Sequence, residues 1–177
     1  MNNIDIGQKI MVMGSSGSGK TFFSLQLGKI LKLPVIHLDK EYWKPGWIET
    51  PKEEWIEKQK KLVENEHWII DGNFSISYDI RFQKANTVVL LDYNRFICLY
   101  GIFKRWTQNF KKTRKDMAEG CIETMDFEFI KYVWNFPEKS RKRIMNKFLE
   151  YENINKIIFK NRKEAKLFLK NIEEKIL

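Results

Sequence analysis

Residues 14–21 read Gly-Ser-Ser-Gly-Ser-Gly-Lys-Thr. This stretch satisfies the phosphate-binding pattern G-x-x-x-x-G-K-[ST]. Gly14, Gly17 and Gly19 let the backbone curl so that N–H groups converge on phosphate oxygens, with Ser15, Ser16 and Ser18 spaced between them. Lys20 brings a positive charge to the β- and γ-phosphates, and the Thr21 hydroxyl suits Mg²⁺. Lys9–Met13 upstream reads as a short buried strand. Residues 20–31 downstream read as a helix with Phe23, Leu27, Ile30 and Leu31 on one face. A strand, a glycine loop and a helix N-terminus aim a positive dipole end at phosphate. The bland alternative is a glycine-rich turn that binds nothing, and these flanking elements argue against it.

Outward from that loop, apolar runs alternate with helical patterns. Residues 34–38, 67–71, 87–92 and 155–160 read as four further strands. Helices are expected at 51–65, 94–110, 126–135, 138–150 and 162–175. Thr50 is the expected N-cap of the first of these, with Pro51 at its first position and Glu53 at its third. The polar, basic stretch 111–124 reads as a mobile loop. The pattern predicts an α/β fold, a five-stranded parallel sheet sandwiched by helices, in a single domain over residues 1–177. Ligands of such sheets bind beyond the C-terminal ends of the strands. Besides the glycine loop, those ends carry Asp39, Asp71-Gly72-Asn73, Asp92 and Asn161-Arg162.

The 177 residues suffice for a hydrophobic core without disulfides, and 43% of them are apolar. No apolar run reaches the length of a membrane span. The first 14 residues lack a basic segment followed by an apolar core, so the expectation is a cytoplasmic protein without membrane partners. Cys98 and Cys121, far apart and without histidines at ligand spacing, read as free thiols. The formal charge of +9 is uneven: residues 1–100 hold 13 Lys and Arg against 12 Asp and Glu, and residues 101–177 hold 19 against 11. A basic C-terminal part can attract nucleic acid, gather phosphorylated small molecules, or merely keep the protein soluble.

An apolar strand that ends in Asp71 suits a carboxylate holding Mg²⁺ through water. Asp39 ends the neighbouring strand and can accept a proton from a substrate hydroxyl. Either aspartate can instead cap the following turn. Trp43 and Trp47, with Tyr42 and a Pro-Gly turn, can sandwich a planar or sugar-like substrate or bury themselves under the loop. His37 lies inside a strand and reads as packed rather than catalytic. Arg105, Arg114, Lys115, Arg141 and Arg143 are candidates to fold over a triphosphate and exclude water. Arg162, with Asn161, is the expected contact to the nucleotide base.

Several stretches in order carry a resemblance: GSSGSGKT at 14–21, HLDKEYWKPGW at 37–47, WIIDGNF at 68–74 and DIRF at 79–82. TVVLLDYNR at 87–95, KTRKDMAEGC at 112–121 and WNFPEKSR at 134–141 continue it. The chain resembles the bacterial topology modulation proteins (FlaR-related), of the adenylate-kinase-like group of P-loop kinases. The resemblance implies a P-loop kinase sandwich with a helical lid at about residues 104–143. Asp71 is then similar to the Asp of the nucleotide-kinase segment D-G-F-P-R, Arg105 to a lid-entry arginine, and Arg141 and Arg143 to arginines returning from the lid. Phe74 and Ser75 stand where that segment has Pro-Arg, and Arg81 is the candidate substitute. The lid has one cysteine, so no zinc-bearing lid is implied.

The leading expectation is a Mg²⁺- and ATP-dependent kinase of a nucleoside, nucleotide or related acceptor. Lys20 neutralises the transferring group, Thr21 and Asp71 hold the metal, Asp39 orients the acceptor, and Trp43, Trp47, Asn73 and Arg81 line its site. The alternatives are a nucleotide-dependent DNA-binding regulator affecting DNA topology, and a kinase of polynucleotide ends. No helix-turn-helix, zinc-finger or RNA-binding motif supports DNA as a partner.

Overall fold

A computed structural model describes residues 6–114 and 116–176. Lys115 lies outside the described residues, and with it the expectation that it reaches phosphate. The glycine loop follows β1 (Lys9–Gly14), whose Ile10, Met11, Val12 and Met13 are fully buried. On one side β1 pairs with β5 (Trp68–Asp71) and on the other with β6 (Thr87–Leu91). β2 (Val35–His37) and β7 (Asn155–Phe159) close the two edges, giving the order β2-β5-β1-β6-β7 with every pairing parallel. These strands are nearly continuous apolar runs because both faces of a parallel sheet are covered.

Side chains alternate across a strand, so each run feeds two cores. Ile10, Val12, Ile69, Val89 and Leu91 pack against Phe23 and Leu27 of α1 (Lys20–Leu31) and Cys98 and Ile102 of α5 (Arg95–Gln108). Leu169 of α8 (Arg162–Ile176) completes that face. Met11, Met13, Ile70, Val88 and Leu90 meet Trp55 and Val63 of α3 (Lys52–Glu64). Ile144 and Phe148 of α7 (Ser140–Glu150) cover the same face. Asn94 starts α5 by accepting the Phe96 N–H at 2.9 Å, and Asp126 starts α6 (Phe127–Trp134) by accepting that of Phe129 at 2.7 Å.

The five-stranded parallel sheet and its flanking helices match the sequence expectation. Four details differ. The stretch after β2 folds into a short α2 (Leu38–Tyr42) and a hairpin of β3 (Trp43–Lys44) and β4 (Ile48–Glu49). Thr50 does not cap α3; its hydroxyl donates to the Tyr42 carbonyl, closing the hairpin, and Pro51 takes the cap position with extended ψ of 144°. A short α4 (Tyr78–Phe82) follows β5. The basic stretch 111–124 is not wholly solvated, because Met117, Cys121 and Glu123 turn inward and are buried.

Candidate active site

The glycine loop joins β1 to α1 at the C-terminal edge of the sheet. Gly17 and Gly19 adopt φ of 80° and 94°, conformations that side chains rarely tolerate. Gly17 also touches Gly101 of α5 so closely that a Cβ on either would overlap the other helix or loop. Lys20 folds back over the loop, its Nζ donating to the Ser15 carbonyl at 3.1 Å. Gly14 is pinned by Asn73: its N–H donates to Oδ1 at 3.2 Å and its carbonyl accepts from Nδ2 at 2.9 Å. Asn73, expected on the acceptor, therefore spends its carboxamide shaping the entry to the loop while still lining the cavity beside it. Buried Ser18 Oγ has no hydrogen-bond partner among the described residues. The loop thus holds polar groups whose demand the protein leaves open.

Register places His37, Val12 and Asp71 side by side on β2, β1 and β5. Asp71, 5% exposed, receives the Thr21 hydroxyl at 3.1 Å and lies 3.0 Å from His37 Nδ1. The hydrogen bond to Asp71 raises the His37 imidazole above its ordinary value, against the cost of burial. Thr21 and Asp71 form an all-oxygen donor set of the kind Mg²⁺ prefers. Asp39, in the first turn of α2, lines the cavity that Asn73 also lines. Surrounding protein mass raises its carboxyl above the usual range, while Lys20 pulls it down.

A cavity of about 760 Å³ runs from Ser16 and Lys20 past Asp39 to Arg143. Trp43 and Trp47 line it as an edge-to-face pair with centroids 5.4 Å apart. Arg105, in the last turn of α5, and Arg114, from the segment after it, line the cavity, and both pair with Glu123, a 5% exposed carboxylate. Arg105 Nε donates to Glu123 Oε1 at 2.7 Å; Arg114 Nε lies 2.9 Å from Oε2 but is misaligned for a hydrogen bond. This segment rests on the β3–β4 turn: the Trp47 indole donates to the Ile122 carbonyl at 2.9 Å, and the Gly46 N–H to that of Gly120 at 3.4 Å.

Three expected contacts are placed elsewhere. Arg81 is fully buried, and its guanidinium donates to the carbonyls of Gly72, Asn73 and Phe74. It braces the loop after β5 instead of touching an acceptor. Arg141 grips Asp92 with Nε at 2.8 Å from Oδ1, and Lys160 holds the other oxygen at 2.5 Å. Burial pushes the Asp92 carboxyl up, but these hydrogen bonds outweigh it and leave it below its ordinary value. Arg143 lines the cavity in place of Arg141. Asn161 forms a capping box with Glu164: it accepts the Glu164 N–H at 3.0 Å, and Glu164 accepts that of Lys160 at 2.7 Å. Its neighbour Arg162 reaches the Gly17 carbonyl at 3.4 Å, at the glycine loop. Asp116 and Glu123, absent from the sequence candidates, are acids inside the basic stretch 111–124, and only their distant partners mark them out.

No protein-family profile and no curated protein matches the chain. Solved structures do. A gluconokinase from Sinorhizobium meliloti 1021 is similar at TM-score 0.58 and 15% identity, over 97% of this chain and 96% of that one. A shikimate kinase from Acinetobacter baumannii in complex with shikimate gives 0.52 and 14%, over 96% and 93%. A putative kinase from Chloroflexus aurantiacus gives 0.53 and 13%, over 96% and 98%. The chain therefore has the α/β fold of P-loop kinase structures, a five-stranded parallel sheet flanked by helices, over nearly its whole length.

Proposed function

We propose that this protein is an ATP-dependent phosphotransferase that moves the γ-phosphoryl group to a hydroxyl of a small acceptor. One observation carries the reading. Ser16 and Lys20 of the phosphate loop line one cavity of about 760 Å³ together with Asp39, Arg105 and Arg114, and Thr21, the residue after Lys20, is hydrogen-bonded to Asp71. That volume suits a small ligand. The likeness in fold to a gluconokinase and a shikimate kinase supports the same class of chemistry.

Phosphoryl transfer asks a protein mainly for positioning and charge neutralisation. The loop N–H groups and Lys20 bind the phosphates. Thr21 and Asp71 are the residues that would hold Mg²⁺, which supplies charge neutralisation and a template for the phosphates when bound. Asp39 orients the acceptor hydroxyl and takes its proton. Arg105 and Arg114 neutralise charge from the lid, and closure excludes water. The acceptor enters along Trp43 and Trp47 and meets Arg143 at the far end. A nucleoside or nucleotide remains the acceptor class implied by the sequence resemblance.

The test is phosphoryl transfer from labelled ATP with Mg²⁺ across nucleosides, nucleoside monophosphates, shikimate, gluconate and DNA 5′ ends. Lys20→Ala should fold normally and lose transfer by at least about a hundredfold, the scale on which removed transition-state charge contacts act. Turnover that survives in Lys20→Ala would refute the assignment.

A further inference from the structure

The Thr21 hydroxyl has two carboxylate neighbours. Asp71 Oδ2 lies 3.1 Å from Oγ1 and Asp116 Oδ2 lies 3.2 Å from it. A hydroxyl carries one proton, so it can donate to only one of them. The second oxygen then faces lone pairs, an arrangement that a cation at the same place relieves. The two acids reach the spot by different routes. Asp71 is fixed at the end of β5, with His37 Nδ1 3.0 Å from the same Oδ2. Asp116 belongs to the lid, 95 residues from Thr21 in sequence, on a stretch anchored to the β3–β4 turn through Ile122 and Gly120. Arg114, 3.3 Å from Asp116, offsets part of its charge.

We propose that Asp116 is a lid-borne positioning residue of the magnesium site, so that the lid seats on the metal–nucleotide pair and not on free nucleotide. The inference rests on the phosphotransferase reading above. A carboxylate brought beside a bare triphosphate repels it. The same carboxylate beside a divalent cation at Thr21 is attracted, directly or through a metal-bound water. Mg²⁺ takes one or two protein carboxylates and fills its other positions with water and phosphate oxygens, which matches Asp71 and Asp116 flanking one hydroxyl. Arg114 shares this position, because it sits two residues from Asp116 and lies 3.3 Å from its carboxylate.

Mn²⁺ affinity of the full chain, measured by electron paramagnetic resonance with a non-hydrolysable ATP analogue, tests this without turnover. Asp116→Asn should bind Mn²⁺ about tenfold more weakly, the loss expected when a group supporting a metal site is removed. Glu119→Gln, an exposed lid acid, should bind it as the wild type does. Without metal, the analogue should bind Asp116→Asn at least as well as the wild type. Equal Mn²⁺ affinity in Asp116→Asn overturns the assignment of Asp116 alone. Tighter binding of the Mn²⁺ analogue complex by that variant also overturns it, marking Asp116 as a plug. A wild-type protein that binds no Mn²⁺–nucleotide overturns the phosphotransferase reading together with this one.

Discussion

Gly17→Ala isolates what the contact between the phosphate loop and α5 contributes. A Cβ on Gly17 would overlap the Cys98 carbonyl oxygen and stand 2.8 Å from the Ile102 nitrogen, both backbone atoms that cannot swing aside. The position also has φ of 80°, which costs a side chain roughly 1–2 kcal/mol. Overpacking against fixed atoms adds about 1–3 kcal/mol. Gly19 provides the internal control. Its φ is 94°, yet a Cβ there meets nothing within 4 Å, so Gly19→Ala carries the backbone cost alone. Differential scanning calorimetry of both variants should show Gly17→Ala melting roughly 10 °C below wild type and Gly19→Ala only about 3–5 °C below, using 2–4 °C per kcal/mol for a chain of this size. Equal shifts in the two variants would refute the claim that a steric clash with α5 limits this position.

Trp55 is fully buried and meets Tyr42 and Phe74 with ring centroids 5.0 Å away in each case. Trp55→Ala should cost about 3–5 kcal/mol in urea unfolding, and a loss below about 1 kcal/mol would sink this packing account. Asp92 has a depressed carboxyl, so its contribution is present above the ordinary value of 3.8 and is lost as pH falls through the folded value. At neutral pH, Asp92→Asn should destabilise by about 1–2 kcal/mol, a figure reduced because Lys160 is exposed to screening solvent. Melting curves from pH 2.5 to 7 should show that this gap narrows as acid protonates the wild-type carboxyl; a gap that stays constant contradicts the ion-pair account.

The strands were legible because each is an apolar run whose alternate residues serve two covered faces, and the phosphate loop because its glycines and lysine leave few other meanings. Residues 38–50 were not. Their aromatics follow neither helical nor strand periodicity, and the hairpin is set by Thr50 reaching back to Tyr42. Arg141 and Arg143 show a second limit. Positions two apart on a helix point about 200° apart, so only one can face the cavity, and a motif match loose by two residues chooses wrongly. Arg81 shows a third: its burial depends on three carbonyls converging where Phe74 takes φ of 42°, which composition does not reveal. Asp116 and Glu123 earn their roles from partners across the cavity, and local pattern contains no record of them.

Glu123 gives the lid arginines a resident competitor. Tethered to the same chain, its carboxylate faces Arg105 and Arg114 at an effective concentration that a freely diffusing anion matches only with difficulty. A single orthophosphate, with no second anchor, loses that contest. A polyphosphate already gripped by the glycine loop meets the arginines intramolecularly too, and so competes on equal terms. On the proposed kinase reading, the pair of ion contacts would set a valence threshold, so that abundant small anions leave the cleft unoccupied.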